Sequence, residues 1–403
     1  MTQDATALSR PPSGQAPTGT LGAGTLLRML RDGKPRTRSE LASMTGMARS
    51  TLTQRVDALL ASGLIQPAGE AASSGGRPPT TFAFAPSARI VLAADLGATH
   101  ARLGVTDLSG RILAETSADV AIDLGPTTVL DWVIDNGRAL IAEIGRTPEE
   151  LLGVGLGLPG PVEHSTGRAI NPPIMPGWDG FDVPAYVGAQ LPGSVFVDND
   201  VNIMALGEYF SQWSDVRHLL YVKVATGIGC GIITDGTVYR GAQGAAGDMG
   251  HIQVSDGGGI LCRCGNTDCL EAVASGPAIA TKLTQAGIAA DTALDVVHLA
   301  RAGTPSLTPL LRDAGRDIGE VLAASVNLLN PGIVVVGGAM ILAGDHLLAG
   351  IREVIYQRSL PLATQNLRIV AARTGEGAGV IGAATMVIEY RLGPDRVDAL
   401  VGT

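Results

Sequence analysis

Three of the four cysteines in this 403-residue chain, Cys262, Cys264 and Cys269, fall within eight positions, and His251 stands just upstream of them. Cys-x-Cys-x4-Cys with a histidine offers three thiolates and an imidazole, the donor set of a tetrahedral Cys3His zinc site. Four protein ligands leave no open position for an activated water. The expected Zn2+ is therefore structural, fixing a loop ("DGGGIL") with little apolar packing of its own. Free thiols or a redox pair are the alternatives, but three exposed thiols this close would be prone to oxidation. The few, clustered cysteines suit a reducing cytoplasm better than a disulfide scaffold. Cys230 lies apart in a glycine-rich stretch and reads as a small buried residue.

A second set of chemistry-bearing residues is basic and lies early in the chain. Residues 1–88 hold nine Arg/Lys and five Asp/Glu, a balance of +4, which leaves −13 for the remainder of a chain whose net charge is −9. Within that basic segment "GTLLRMLRDG" places Leu26, Leu27 and Leu30 on one helical face. "TRSELASM" opens with the capping-box spacing Thr37 to Glu40. Gly46 supplies a turn, and "ARSTLTQRVDALLASG" follows with Leu52, Val56, Leu59 and Leu60 on its inner face. Its other face offers Arg49, Ser50, Thr51, Thr53, Gln54 and Arg55. Helix, glycine turn and helix make a helix-turn-helix whose second helix is suited to the major groove of double-stranded DNA. "LIQPAG" and "TTFAFAP" read as the two strands of a wing, with Arg77 near its tip placed to meet a phosphate or a narrow minor groove. A small helical dimerisation domain is the alternative to this winged helix-turn-helix.

From residue 89 the texture becomes alternating strands and helices. Two stretches, "RIVLAADLGATHARLGVTDLSGRILAE" and "LLYVKVATGIGCGIITDGTVYRG", each read as a strand, a small polar loop and a hairpin, which suggests two similar α/β lobes facing a cleft. A third apolar strand runs into Gly337 and Gly338. Such loops either cradle phosphates with their backbone amides or simply turn tightly. The expected boundaries are a flexible tail over residues 1–18, a DNA-binding head over 19–86 and a two-lobed body over 87–395. The first twenty residues have no apolar run like a secretory signal, and no apolar stretch reaches membrane-spanning length, so a cytoplasmic protein without membrane contact is expected.

The stretches "DLGATH", "GLGLPGPV", "PGWDGFDV", "VDNDVNIMALGE", "ATGIGCGI", "GAAGDMGHI" and "CRCGNTDCLE" follow one another as in the ROK family (repressors, open reading frames, sugar kinases), which the chain resembles from about residue 89 to 390. With the basic head, the resemblance is to that family's transcriptional regulators. It implies an actin-like ATPase (ribonuclease H-like) body with a sugar or sugar phosphate in the cleft. Carried over one at a time, the sugar contacts are Asn199, Asp200, Asp248, His251 and Glu271, and the metal ligands are those named above. The family usually has Glu where Asp248 stands, so this carboxylate is one methylene shorter. Asp200 would be the general base of a kinase, although it could equally cap the helix that follows, as Glu271 could start one. The resemblance places phosphate loops at Asp95, Gly97 and Thr99, at Thr226 and Gly227, and at Gly337 and Gly338. Here Asp-x-Gly-Gly-Thr-Lys has become Asp95-Leu96-Gly97-Ala98-Thr99-His100, and Ala225 and Cys230 occupy glycine positions. The cationic lysine is lost and methyl groups crowd the backbone that would meet phosphate, so weak or absent phosphoryl transfer is expected. The expectation is a sugar-responsive DNA-binding repressor of carbohydrate uptake or catabolism. It would bind a roughly palindromic operator as a homodimer or dimer of dimers. An active sugar kinase with an accessory head is the rival.

Overall fold

A computed structural model describes residues 22–71 and 78–402. Arg77 and the expected tail lie outside the described residues. The chain forms two compact units, one of the residues up to Ala85 together with Leu392 onward, the other of Pro86–Arg391.

In the first unit, helices Ala23–Leu30, Arg38–Thr45 and Arg49–Ala61 precede a hairpin of strands Ile65–Glu70 and Thr80–Phe84, and the short strand Arg36–Thr37 pairs with the second of these. The capping box forms as its spacing predicts: the Thr37 side chain accepts from the Glu40 amide while Glu40 accepts from the Thr37 amide at 2.7 Å. Gly46 follows in the left-handed region (φ 71°), a conformation that costs a glycine nothing. Leu26, Leu27, Leu30, Leu41, Leu52, Val56 and Leu59 form the core; Leu60 is only half-buried.

The expected end of the body needs correction. The sequence predicts a body that runs to residue 395, but the chain returns to the head unit at Leu392. There the final helix Pro394–Val401 packs on helix Ala23–Leu30. Asp398 Oδ1 accepts from the Gly24 amide at 2.9 Å, and a Cβ on Gly24 would lie 2.2 Å from the Pro394 carbonyl oxygen, so only glycine permits this approach. No local periodicity reveals such a contact, because its partners are separated by nearly the whole chain.

The second unit contains two five-stranded sheets. The first runs Ser194–Asn199, Leu151–Leu158, Ile90–Leu96, Ala101–Asp107, Ile112–Ala118; the second runs Arg368–Ala371, Ile333–Gly337, His218–Val224, Ile228–Thr234, Thr237–Val238. In each, the earliest strand is central, antiparallel to the next in sequence and parallel to its other neighbour. This repeated order is the duplicated α/β arrangement expected of a ribonuclease H-like pair of lobes. Each sheet has its own aliphatic core. Helices Asp200–Gln212 and Ala378–Arg391 pack closely where glycines face backbone: a Cβ on Gly382 would lie 1.7 Å from the Ile203 carbonyl oxygen, and one on Gly207 1.9 Å from that of Ala378. Among the described residues no helix is long and apolar enough to cross a membrane.

Candidate ligand cleft and metal centre

A cleft of about 490 Å³ opens in the body, lined from both lobes. Strand Ser194–Asn199 delivers Asn199 and Asp200 to one wall. Asn199 is the N-cap of helix Asp200–Gln212: its Oδ1 accepts from the Val201 amide at 2.9 Å and its Nδ2 donates to the Gly160 carbonyl at 3.0 Å. Capping therefore falls to Asn199, which leaves Asp200 to face the cleft. The Asp200 carboxylate instead takes a hydrogen bond from Lys223 Nζ at 2.5 Å.

Across the cleft, Glu271 sits in the first turn of helix Leu270–Ala274, whose N-cap is Cys269. Its Oε2 accepts from the Ile228 amide at 3.1 Å. Gly227 lies so near that a Cβ there would come within 2.6 Å of that oxygen. Asp248 is exposed to the cleft and caps nothing. His251 lines the same space. Thus Asn199, Asp200, Asp248, His251 and Glu271 all border one cavity.

The expected phosphate-loop residues do not stay together. Thr226 and Gly227 line the cleft, as do Ala98 and His100. Asp95 lies buried at the end of the central strand of its sheet. Burial pushes its carboxyl up to about 6, with Asp200 adding to the rise while Lys223 opposes it. Gly97 closes a tight turn by donating to the His100 carbonyl at 2.8 Å, and Thr99 is exposed beside it. Gly337 and Gly338 are absent from the cleft lining. Their glycine character has a packing cause, since a Cβ on Gly337 would lie 2.1 Å from the Tyr221 hydroxyl and one on Gly338 2.5 Å from the Val224 carbonyl oxygen. Desolvation, then the charge of Lys223, hold His100 below the usual imidazole range.

Sequence pattern alone does not mark Lys223 as a site residue. A lysine inside "HLLYVKV" reads as a solvated strand position, yet here it is the cation at the cleft floor. Burial opposes its charge, but Asp200 and Asp95 outweigh that and raise its pKa. The signal available was a charge within an otherwise buried run.

His251, Cys262, Cys264 and Cys269 present donor atoms that all lie within 4.8 Å of one another. His251 Nδ1 is 3.6 Å from Cys262 Sγ, and Cys264 Sγ is 3.6 Å from Cys269 Sγ. A tetrahedron with zinc–sulfur bonds of about 2.3 Å has sulfur–sulfur edges of roughly 3.8 Å, so the set fits such an ion. The loop is prearranged for it. Cys262 donates its amide to Asn266 O at 2.7 Å, and Asp268 Oδ1 accepts from the Ile260 amide at 2.8 Å. His251 turns Nδ1 toward the thiols and is also among the residues that line the cleft. Cys230 is buried apart, its thiol pushed up to about 12 by desolvation.

In the head, Arg49, Ser50, Thr53 and Gln54 are exposed on helix Arg49–Ala61, while Thr51 and Arg55 are half-buried. Arg55 Nε is buried with no hydrogen-bond partner. The predicted face is therefore narrower than six freely exposed side chains.

The profile of the ROK family matches residues 91–390. A xylose repressor from Caldicellulosiruptor bescii is 28% identical, the match covering 91% of this chain and 95% of that protein. The crystal structure of a ROK family transcriptional regulator, a homologue of the E. coli MLC protein, superposes with a TM-score of 0.81 at 26% identity over 94% of this chain and 98% of its own. A ROK family glucokinase from Streptomyces griseus, solved with glucose and AMPPNP, matches with a TM-score of 0.63 at 27% identity over 74% of this chain and 98% of its own.

Proposed function

The chain belongs to the ROK family, and from that membership we propose that it is a sugar-responsive DNA-binding transcriptional repressor of carbohydrate uptake or catabolism genes. The observation that carries this reading is coverage. The similarity to a xylose repressor runs through 91% of the chain, whereas the glucokinase structure matches 74% of it.

In this reading Arg49, Ser50, Thr53 and Gln54 meet the major groove, with Thr51 and Arg55 supporting them. A homodimer, or a dimer of dimers, presents two such helices to a roughly palindromic operator. Asn199, Asp200, Asp248, His251 and Glu271 bind sugar hydroxyls, which carboxylates and an amide match as acceptors and donors. His251, Cys262, Cys264 and Cys269 hold a structural Zn2+. When bound, that ion fixes the loop between His251 and Glu271 and orients the imidazole, leaving its second nitrogen to the sugar. A sugar can regulate the operator only by binding two states of the protein with different affinity. Footprinting with a panel of common sugars tests this. A sugar-dependent change in operator affinity is expected, and a panel that alters neither operator affinity nor thermal stability would overturn the effector half.

The kinase reading has one observation in its favour, the aspartate at the cleft wall. Against it, Asp200 is already engaged by Lys223 at 2.5 Å, and the loops that would hold phosphate are altered. ADP release coupled to hexoses or N-acetyl sugars decides: turnover at ordinary kinase rates, lost in Asp200→Asn, would make the protein an enzyme.

A further inference from the structure

Strand His218–Val224 carries Lys223 at its penultimate position, in the central strand of the second sheet. Its ammonium reaches Asp200, on the helix that leaves the first sheet. The pair therefore ties the two lobes across the cleft floor, and both side chains are largely buried, at 16% and 5% exposure. Asp95 acts on the same ammonium from the first sheet and Glu271 from the opposite wall, while Arg102 is the other cation influencing Asp95 and His100 stands beside them.

The charge balance around the cavity follows. Asp200, Asp248 and Glu271 are its acidic lining residues; Lys223 and Arg263 are its basic ones. Arg263 is exposed on the cysteine loop, so Lys223 is the deep cation among the described lining residues, and the Asp200 carboxylate already holds it at 2.5 Å. We propose that Lys223 sets the ligand class of the cleft: with its ammonium paired to Asp200, the floor accepts a sugar that is uncharged there and refuses a phosphate or carboxylate group. A hydroxyl at that point can donate to Asp200 and accept from Lys223. An anion at the floor would find Lys223 already paired and would meet the Asp200 carboxylate in a partly desolvated pocket, while Arg263 stands exposed away from that point. The same contact ties up the carboxylate oxygen that phosphoryl transfer would need as a base, so Lys223 also favours binding over chemistry.

The inference rests on the reading of the cleft as a sugar site, and two measurements keep them apart. Calorimetric titration of the full chain compares xylose, glucose and N-acetylglucosamine with their phosphate esters. The uncharged member of a pair should bind at least about tenfold more tightly. Lys223→Met should weaken that binding by roughly tenfold, the loss of one charge-assisted contact, while Lys223→Arg retains most of it. Tighter binding of an ester, or unchanged binding in Lys223→Met, overturns the proposal and leaves the sugar reading standing. If neither class binds the wild-type chain, the sugar reading has failed, and the second measurement alone decides whether Lys223 carries the carboxylates. That measurement is thermal unfolding of wild type and Lys223→Met at about pH 5 and about pH 8. Without the cation, Asp95 and Asp200 must both ionise at the higher pH, so the variant should lose more stability there. Equal losses at both pH values overturn the pairing.

Discussion

Of the three carboxylates that border the cleft, only Asp248 has no partner in the described structure. Asp200 is held by Lys223 and Glu271 by the Ile228 amide, whereas Asp248 is exposed and caps nothing. A bound sugar hydroxyl would find Asp248 unengaged, but at the end of a side chain one methylene shorter than the family's usual glutamate. Asp248→Glu is therefore expected to tighten sugar binding by roughly three- to tenfold, within the worth of one direct hydrogen bond replacing a water-bridged one. Calorimetry against the sugar that shifts operator affinity checks this, and weaker binding in the variant would show that the cleft is shaped for the shorter carboxylate. The residue types at this site were legible because each stands in a short motif. What each is committed to was not legible: that the Asn199 amide nitrogen is anchored on Gly160 O, and that Asp200 is paired with Lys223, depend on residues distant in sequence.

The elements that deliver these residues depend on close backbone packing. Helix Asp200–Gln212 begins at the cleft and lies against helix Ala378–Arg391 through Gly207 and Gly382. A methyl at Gly382 would collide with the Ile203 carbonyl oxygen at 1.7 Å, and backbone cannot yield as a side chain does. Gly382→Ala should cost about 3 kcal/mol or more in chemical denaturation, the upper range for overpacking. Gly188→Ala is the control, since its Cβ would meet only Val195 at 3.8 Å. The loop that carries Cys262, Cys264 and Cys269, in contrast, is held by turn hydrogen bonds such as Cys262 amide to Asn266 O and Ile260 amide to Asp268 Oδ1. Cys264→Ser, or chelation, should release the metal and abolish the sugar response while operator binding without sugar persists. Metal analysis beside operator titration checks this, and a full sugar response in metal-free protein would remove the proposed role of the ion. The sequence disclosed the duplicated hairpins, the capping box and the ligand spacing, because those signals are local. It could not distinguish glycines that turn near a ligand from glycines that admit a neighbouring chain, as at Gly337 and Gly338, because that distinction is tertiary.

At the scale of the molecule, the chain passes from the head unit into the body after Ala85 and back from the body into the head after Arg391. Helix Ala378–Arg391 starts against the buried Asp95 carboxyl, where a Cβ on Gly379 would lie 2.0 Å from Asp95 Oδ2, and the chain leaving its far end builds part of the head core. Leu392 and Val397 are fully buried there, at 1% and 0% exposure. Burying two such side chains contributes about 3 kcal/mol or more, a large share of the stability of a domain this small. Truncation after Arg391 also removes the Asp398 acceptor of the Gly24 amide. The truncated chain should therefore show an early thermal transition for the head and weakened operator binding, with the body's transition and its sugar affinity unchanged. Val397→Asp should reproduce the effect in the full-length chain by placing an unpaired charge in the same core. Calorimetric scanning with parallel sugar and operator titrations separates the two units. Operator affinity that survives both changes would mean that the head folds without its C-terminal helix.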